Sequence, residues 1–199
     1  MGRNAFIFGA GAGLSAAIAG CFTDAGMRVG LAARNSAKLE GMADRIGGRT
    51  YACDVTDRAQ VNGAFDAFEQ DIGTADVVVF NAGYRVAGPL RELAPEKVRD
   101  TVLVNSYGGF LVAQRATGPM LEAGGGSLLF TGASAGIKGY ANSSAFAMGK
   151  FALRGLCQSL ARELAPQNIH VAHFVIDGLI RNDHRGAPYN DPDSTLDPA

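Results

Sequence analysis

The chain predicts an α/β fold: a doubly wound parallel sheet of at least six strands, with helices on both faces. Three observations carry this. Short apolar runs closed by glycine or polar residues recur along the 199 residues and alternate with segments of helical period. The run Ala75–Phe80 (ADVVVF) is apolar at five of six positions, as a strand covered on both faces requires. The first apolar run opens directly into Gly9-Ala10-Gly11-Ala12-Gly13, ahead of a helical pattern.

In order, Asn4–Gly9 reads as a buried strand ending in a turn. Leu14 to Ala25 follows as a helix with Leu14, Ile18, Cys21 and Phe22 on its inner face. Met27–Ala33 is a second strand, and Ser36 can cap the polar helix after it. Arg49–Cys53 is a third strand, and Thr56 or Asp57 can open a helix that buries Val61, Ala64, Phe65 and Phe68. Ala75–Phe80 is the fourth strand, Pro95 to Ala123 a long helical stretch, and Ser127–Thr131 the fifth strand. Ser143 to Ala165 is a second long helix, capped at Ser143 or Ser144 and closed by Pro166. Ile169–Ile176 is the sixth strand. Right-handed crossovers then give a doubly wound sheet. Residues 1–180 form the domain, and 181–199 a polar loop or tail with three of the seven prolines.

Bulk composition excludes several classes. A content of 47% hydrophobic and 19% charged residues suits a soluble globular chain of one domain. Eighteen basic against 19 acidic residues, a net charge of −1, deny the basic field that nucleic acid or anionic membranes need, so neither is an expected partner. No apolar run reaches a membrane span. The N-terminus enters a strand without a leader pattern, so a cytoplasmic location is expected. Cys21, Cys53 and Cys157 are widely spaced and read as reduced, buried thiols; no metal site is predicted.

Chemistry begins at the glycine loop. Gly9, Gly11 and Gly13 let backbone amides approach a pyrophosphate, and the helix opening at Leu14-Ser15 favours the negative charge. The adenosine ribose should lie beyond the second strand, where an NAD site usually places a carboxylate. This chain has Arg34, Asn35 and Ser36 there. A guanidinium suits a 2′-phosphate, so NADP(H) is favoured over NAD(H).

Gly9-x-x-x-Gly13-Leu14-Ser15, Asp54-Val55, Asn81-Ala82-Gly83, Asn105 and Lys150 occur in the order that resembles the short-chain dehydrogenase/reductase family. The resemblance covers residues 4 to about 180 and implies a Rossmann-like dinucleotide-binding domain and a small-molecule substrate. It places Asp54-Val55 against the adenine ring and Asn81-Ala82-Gly83 in support of the central sheet. Asn105 would position the lysine and an ordered water, and Lys150 would hold the nicotinamide ribose. Gly178 keeps the turn after the sixth strand, and backbone near Ile180 would meet the carboxamide. The resemblance also implies a homodimer or homotetramer packed through the two long helices; Phe151, Leu153, Leu156 and Leu160 fit that contact and fit plain core equally.

Two catalytic positions depart from the pattern. The family's catalytic tyrosine, four residues before the lysine, is Phe146, which can neither give nor take a proton. Its serine, thirteen residues earlier, is Ala133. The variant with a tyrosine seven residues before the lysine does not fit either, since that residue is Ser143. Ser134 and Tyr140 are the candidate substitutes, with Tyr84 and Tyr107 behind them; Ser134 reads equally as a loop serine and Tyr140 as a rim residue. His173 reads as a core histidine, and His184 could come from a lid. Asp177 stands where the family usually has proline, and its later threonine contact is missing. Family members usually continue into a substrate-covering helix and a seventh strand. Nothing up to Ala199 supplies them, so either the sequence is a fragment or the sheet ends at six strands with an exposed edge. The expected activity is hydride transfer to or from a small carbonyl or alcohol with an atypical site. The alternative is a dinucleotide-binding sensor or scaffold without turnover.

Overall fold

The computed structural model describes residues 3–180 and 195–198. Six strands form one parallel sheet: β1 (Asn4–Phe8), β2 (Arg28–Ala33), β3 (Arg49–Ala52), β4 (Val77–Phe80), β5 (Gly126–Thr131) and β6 (Ile169–Phe174). Their order is β3-β2-β1-β4-β5-β6, so the sheet runs outward in both directions from the β1–β4 junction. The helices are α1 (Leu14–Asp24), α2 (Glu40–Ile46), α3 (Arg58–Asp71), α4 (Pro95–Val102), α5 (Gly108–Glu122) and α6 (Ser144–Leu164).

Alternation along β1 distributes the core. Phe6 and Phe8 point to one face, where Phe6 stacks on Phe68 with ring centres 4.3 Å apart and meets Phe65 edge-on. That face is closed by α3, α5 and α6. Ala5 and Ile7 point to the other face, under Ala19 of α1 and Met42 and Ala43 of α2. The β5–β6 half of this second face is less covered, and Phe174 at its edge is 53% exposed. Asp57 caps α3 through its carboxylate, which accepts from the amides of Ala59 and Gln60.

Several expectations need correction. Cys21 is exposed, because α1 sets its small residues Ser15 and Ala19 against the sheet and turns Cys21 outward. Cys53 and Cys157 are buried as expected. Ser36 does not cap α2: a 3-10 turn, Ser36–Leu39, comes first and tucks Leu39 into the core. Ser143 occupies the N-cap position of α6 but its side chain makes no capping bond. The stretch from Pro95 is not one regular helix: a π-helical turn, Leu103–Tyr107, separates α4 from α5 and carries Asn105. The sixth strand stops at Phe174. Within the stretch expected to be unstructured, β8 (Thr195–Leu196) pairs in parallel with β7 (Leu179–Ile180). His184 lies outside the described residues.

Candidate active site

The C-terminal ends of the strands on either side of the β1–β4 junction open onto one cleft of about 720 Å³. Open α/β sheets bind ligands at such a reversal, because loops there diverge and leave a crevice. One wall is the glycine loop from Gly9 to Ser15; the other comes from Ser134, Tyr140, Phe146, Lys150 and the chain after β6.

Gly9 is the corner of the loop. Its φ of +75° suits glycine, and a Cβ there would collide with the backbone nitrogen of Ala82. That close approach lets Asn81 latch the loop: its amide donates to Ser15 Oγ at 2.7 Å and to the Gly9 carbonyl at 3.3 Å. Ser15 Oγ in turn donates to the Gly9 carbonyl at 3.2 Å. Ser15 is buried and its hydroxyl engaged, so it braces the loop. Gly13 is the N-cap of α1, with no side-chain cap and no acid in the first turn. A position beside Gly11 is open for at least 4 Å. Uncapped amides facing an open space, at the positive end of an eleven-residue helix, fit a pyrophosphate.

Lys150 lies on α6, buried among core residues, and its ammonium donates to the Thr131 carbonyl at 2.8 Å. Burial pushes its pKa from 10.5 down to about 8. The Phe146 ring, one turn earlier, has the Lys150 ammonium 5.7 Å and the Arg85 guanidinium 5.5 Å from its centre. Asn105 sits behind this wall because Gly149 lets α6 approach: a Cβ on Gly149 would stand 2.8 Å from Asn105 Cβ. Its amide donates to the carbonyls of Tyr84, at 2.6 Å, and Thr101, at 2.8 Å. Among the described residues nothing hydrogen-bonds to the buried Asn105 Oδ1, which suits a water or ligand hydroxyl.

Most of the sequence-predicted residues converge. Gly9, Gly11, Gly13, Leu14 and Ser15 line the cleft with Asn81 and Gly83; Ser134, Tyr140 and Lys150 face them, and Gly178 and Ile180 close one end. Others stand apart from it. Arg34 and Asn35 are exposed just past the end of β2, and Ala82 and Val55 are buried behind the surface. The Asp54 carboxylate accepts from the amide and hydroxyl of Thr56, forming a local turn. Ala133 and Phe146 both line the cleft, so the two departures meet in one place. Tyr107 is exposed and does not line it. His173 faces α6 from β6; burial and the nearby charges of Lys150 and Arg154 push its pKa below the usual histidine range. Its Nε2 is buried with no partner among the described residues.

Two participants were not read from sequence. Arg85 follows a motif without belonging to it, and only the loop after β4 brings it over Phe146. The Lys138 ammonium lies 5.2 Å from the centre of the Tyr140 ring. A hydrogen bond to Tyr140, with the charges of Tyr140 and Asp177, raises the Lys138 pKa above the ordinary lysine value. Among the described residues there is no cluster of metal-ligating side chains, and no helix is long and apolar enough to cross a membrane.

The sheet order, glycine corner and Asn–Lys wall define a dinucleotide-dependent oxidoreductase fold, and comparison with known proteins agrees. A family model described as short chain dehydrogenase matches residues 3–187. The chain belongs to the short chain dehydrogenase family. It is 33% identical over 175 residues to a D-threitol dehydrogenase of Mycolicibacterium smegmatis, covering 85% of this chain and 67% of that one. An actinorhodin polyketide ketoreductase solved with NADPH superposes with a TM-score of 0.87 at 27% identity, over 92% of this chain and 68% of that one. An NAD+-bound xylitol dehydrogenase gives 0.85 at 28% identity, over 89% and 70%. Such neighbours include both NADP and NAD binders.

Proposed function

We propose that this chain is an NADP(H)-dependent oxidoreductase acting on a small carbonyl or alcohol, with the proton handled by Tyr140 in place of Phe146. The observation that carries this reading is the single cleft in which the glycine loop, Lys150, Ser134 and Tyr140 face one another. On this reading residues 1–180 are the dinucleotide-binding domain.

The bound dinucleotide supplies or accepts the hydride. The amides from Gly11 to Ser15 hold the pyrophosphate, and Arg34 with Asn35 holds the 2′-phosphate beyond β2. Asp54 and Val55 flank the adenine, and backbone near Gly178 and Ile180 orients the carboxamide. Lys150 holds the nicotinamide ribose, with Asn105 and a water behind it. Asn81, Ala82 and Gly83 keep the loop and β4 in register. Ser134 orients the substrate oxygen and Tyr140 gives it a proton. Lys138, whose ammonium lies 5.2 Å from the centre of the Tyr140 ring, steadies the phenolate that remains. Proton transfer from a positioned side chain contributes about 10²–10⁴-fold, which sets the size of the effect to look for.

The exposed residues Tyr107 and Phe110, with Met148 and Phe151 of α6, support a homodimer or homotetramer packed through α5 and α6. Leu153 is not part of that surface, since it is fully buried, and Leu156 and Leu160 pack on the core. A cytoplasmic enzyme is consistent with this reading.

A second reading, a dinucleotide sensor or scaffold without turnover, is favoured by Ala133 and Phe146 standing together in the cleft wall. Fluorescence titration with NADPH and NADH, then turnover on a carbonyl panel, separates the two. Turnover by the wild type that is lost in Tyr140→Phe supports the enzyme. Turnover only in an Ala133→Ser, Phe146→Tyr double variant supports the sensor, and absence of dinucleotide binding defeats both.

A further inference from the structure

We propose that Arg85 makes the substrate end of the cleft a carboxylate site, so that the substrate is a small hydroxy or oxo acid. This names the substrate class of the site above and rests on that reading for the chemistry.

The argument begins with how Arg85 is held. Arg85 is exposed and lines the cleft together with Ser134, Tyr140 and Phe146. Its guanidinium lies 5.5 Å from the Phe146 ring centre, a cation–π distance that steadies a long side chain without using its N–H donors. Three other arginines spend theirs: Arg115 on Asp66 and Glu69, Arg99 on Asp100, and Arg154 on the Gly136 carbonyl. Among the described residues no carboxylate or carbonyl accepts from Arg85. Its planar fork is therefore available for bidentate contact with a carboxylate, which a lysine could not reproduce.

Charge points the same way. The Lys150 ammonium lies 5.7 Å from the same ring centre, so two cations share one apolar side chain. Asp177 is the one carboxylate among the described residues lining the cleft, and it acts on Lys138, whose pKa it helps raise. An anionic substituent on the substrate would relieve this excess positive charge. In this proposal Arg85 is a specificity residue and carries no proton in the reaction.

The test titrates oxamate and its neutral ester, ethyl oxamate, into the full chain by calorimetry, with and without saturating NADPH. Wild type, Arg85→Gln and Arg85→Lys are compared, with circular dichroism confirming the fold of each. Charge-assisted hydrogen bonds of this kind correspond to about 10–100-fold in affinity. Oxamate should bind wild type at least about tenfold more tightly than the ester, and Arg85→Gln should erase that preference, with Arg85→Lys between the two. NADPH affinity should stay within about twofold in both variants, as expected for a residue that touches substrate only. Equal binding of acid and ester, or a preference that survives Arg85→Gln, overturns the proposal. Loss of NADPH binding with an Arg85-dependent oxamate preference would defeat the dehydrogenase reading and uphold the anion site.

Discussion

The Lys150 ammonium gives a hydrogen to the Thr131 carbonyl at 2.8 Å, and this bond fixes the cation where β5 ends and the cleft begins. The bond crosses from α6 to the sheet. It holds the charge in place although the family's tyrosine is replaced by a ring without a hydroxyl, and it has consequences for pH.

Burial lowers the Lys150 pKa from 10.5 to about 8 in the folded protein. Between those values the unfolded chain holds this proton and the folded chain has released it. Stability from this group therefore rises with pH across that window, and its penalty is full and constant below about pH 8. In urea titrations the stability of wild type relative to Lys150→Met should climb from pH 8 to 10.5. A difference that stays flat over that range would show that the ammonium is not buried as described.

Gly9→Ala should be among the most damaging single-methyl changes in the chain. The residue holds φ at +75°, costing a Cβ residue about 1–2 kcal/mol, and the methyl would also strike the Ala82 backbone. A loss of at least about 2 kcal/mol in chemical denaturation is expected, with weakened dinucleotide binding. A neutral variant would mean that the corner can open.

Arg34 is the test of cofactor preference. Wild type should bind NADPH more tightly than NADH, and Arg34→Asp should reverse the order by weakening NADPH about 10–100-fold. Fluorescence titration reads this directly. Equal affinity of the wild type for the two cofactors would remove the basis for choosing NADP(H).

The thiols should separate by burial. Cys21 is exposed, while burial pushes Cys53 and Cys157 up to about 12, with Asp54 and Asp57 adding to the shift of Cys53. Ellman's reagent should label one thiol quickly in the native protein and three in denaturant. Fast labelling of a second native thiol would contradict the packing of α6 or of the β3 end.

The strands were legible because each is a short apolar run with turn residues at its ends, and Val61, Ala64, Phe65 and Phe68 fell on the expected inner face of α3. Asp57 was readable as a cap because its carboxylate bonds locally, to the amides two and three residues on. Cys21 was misplaced because hydrophobicity marks apolar positions, and α1 packs through small ones. The π-helical turn at Asn105 left no composition signal; it arises where Gly149 lets α6 press on that turn.

Local order and connectivity were thus determined by the sequence alone. Periodic burial, glycine punctuation and spaced motifs act over a few residues and carry the doubly wound sheet, the phosphate loop, and the missing hydroxyl at Phe146. Tertiary structure decided what surrounds that ring. Arg85 and Lys150 are 65 residues apart in the chain, and only folding brings both charges over one side chain. The same holds for the engaged hydroxyl of Ser15, whose partner Asn81 lies 66 residues away. Contacts at such separations depend on how loops leave the strand ends, and hydrophobic periodicity holds no record of that geometry.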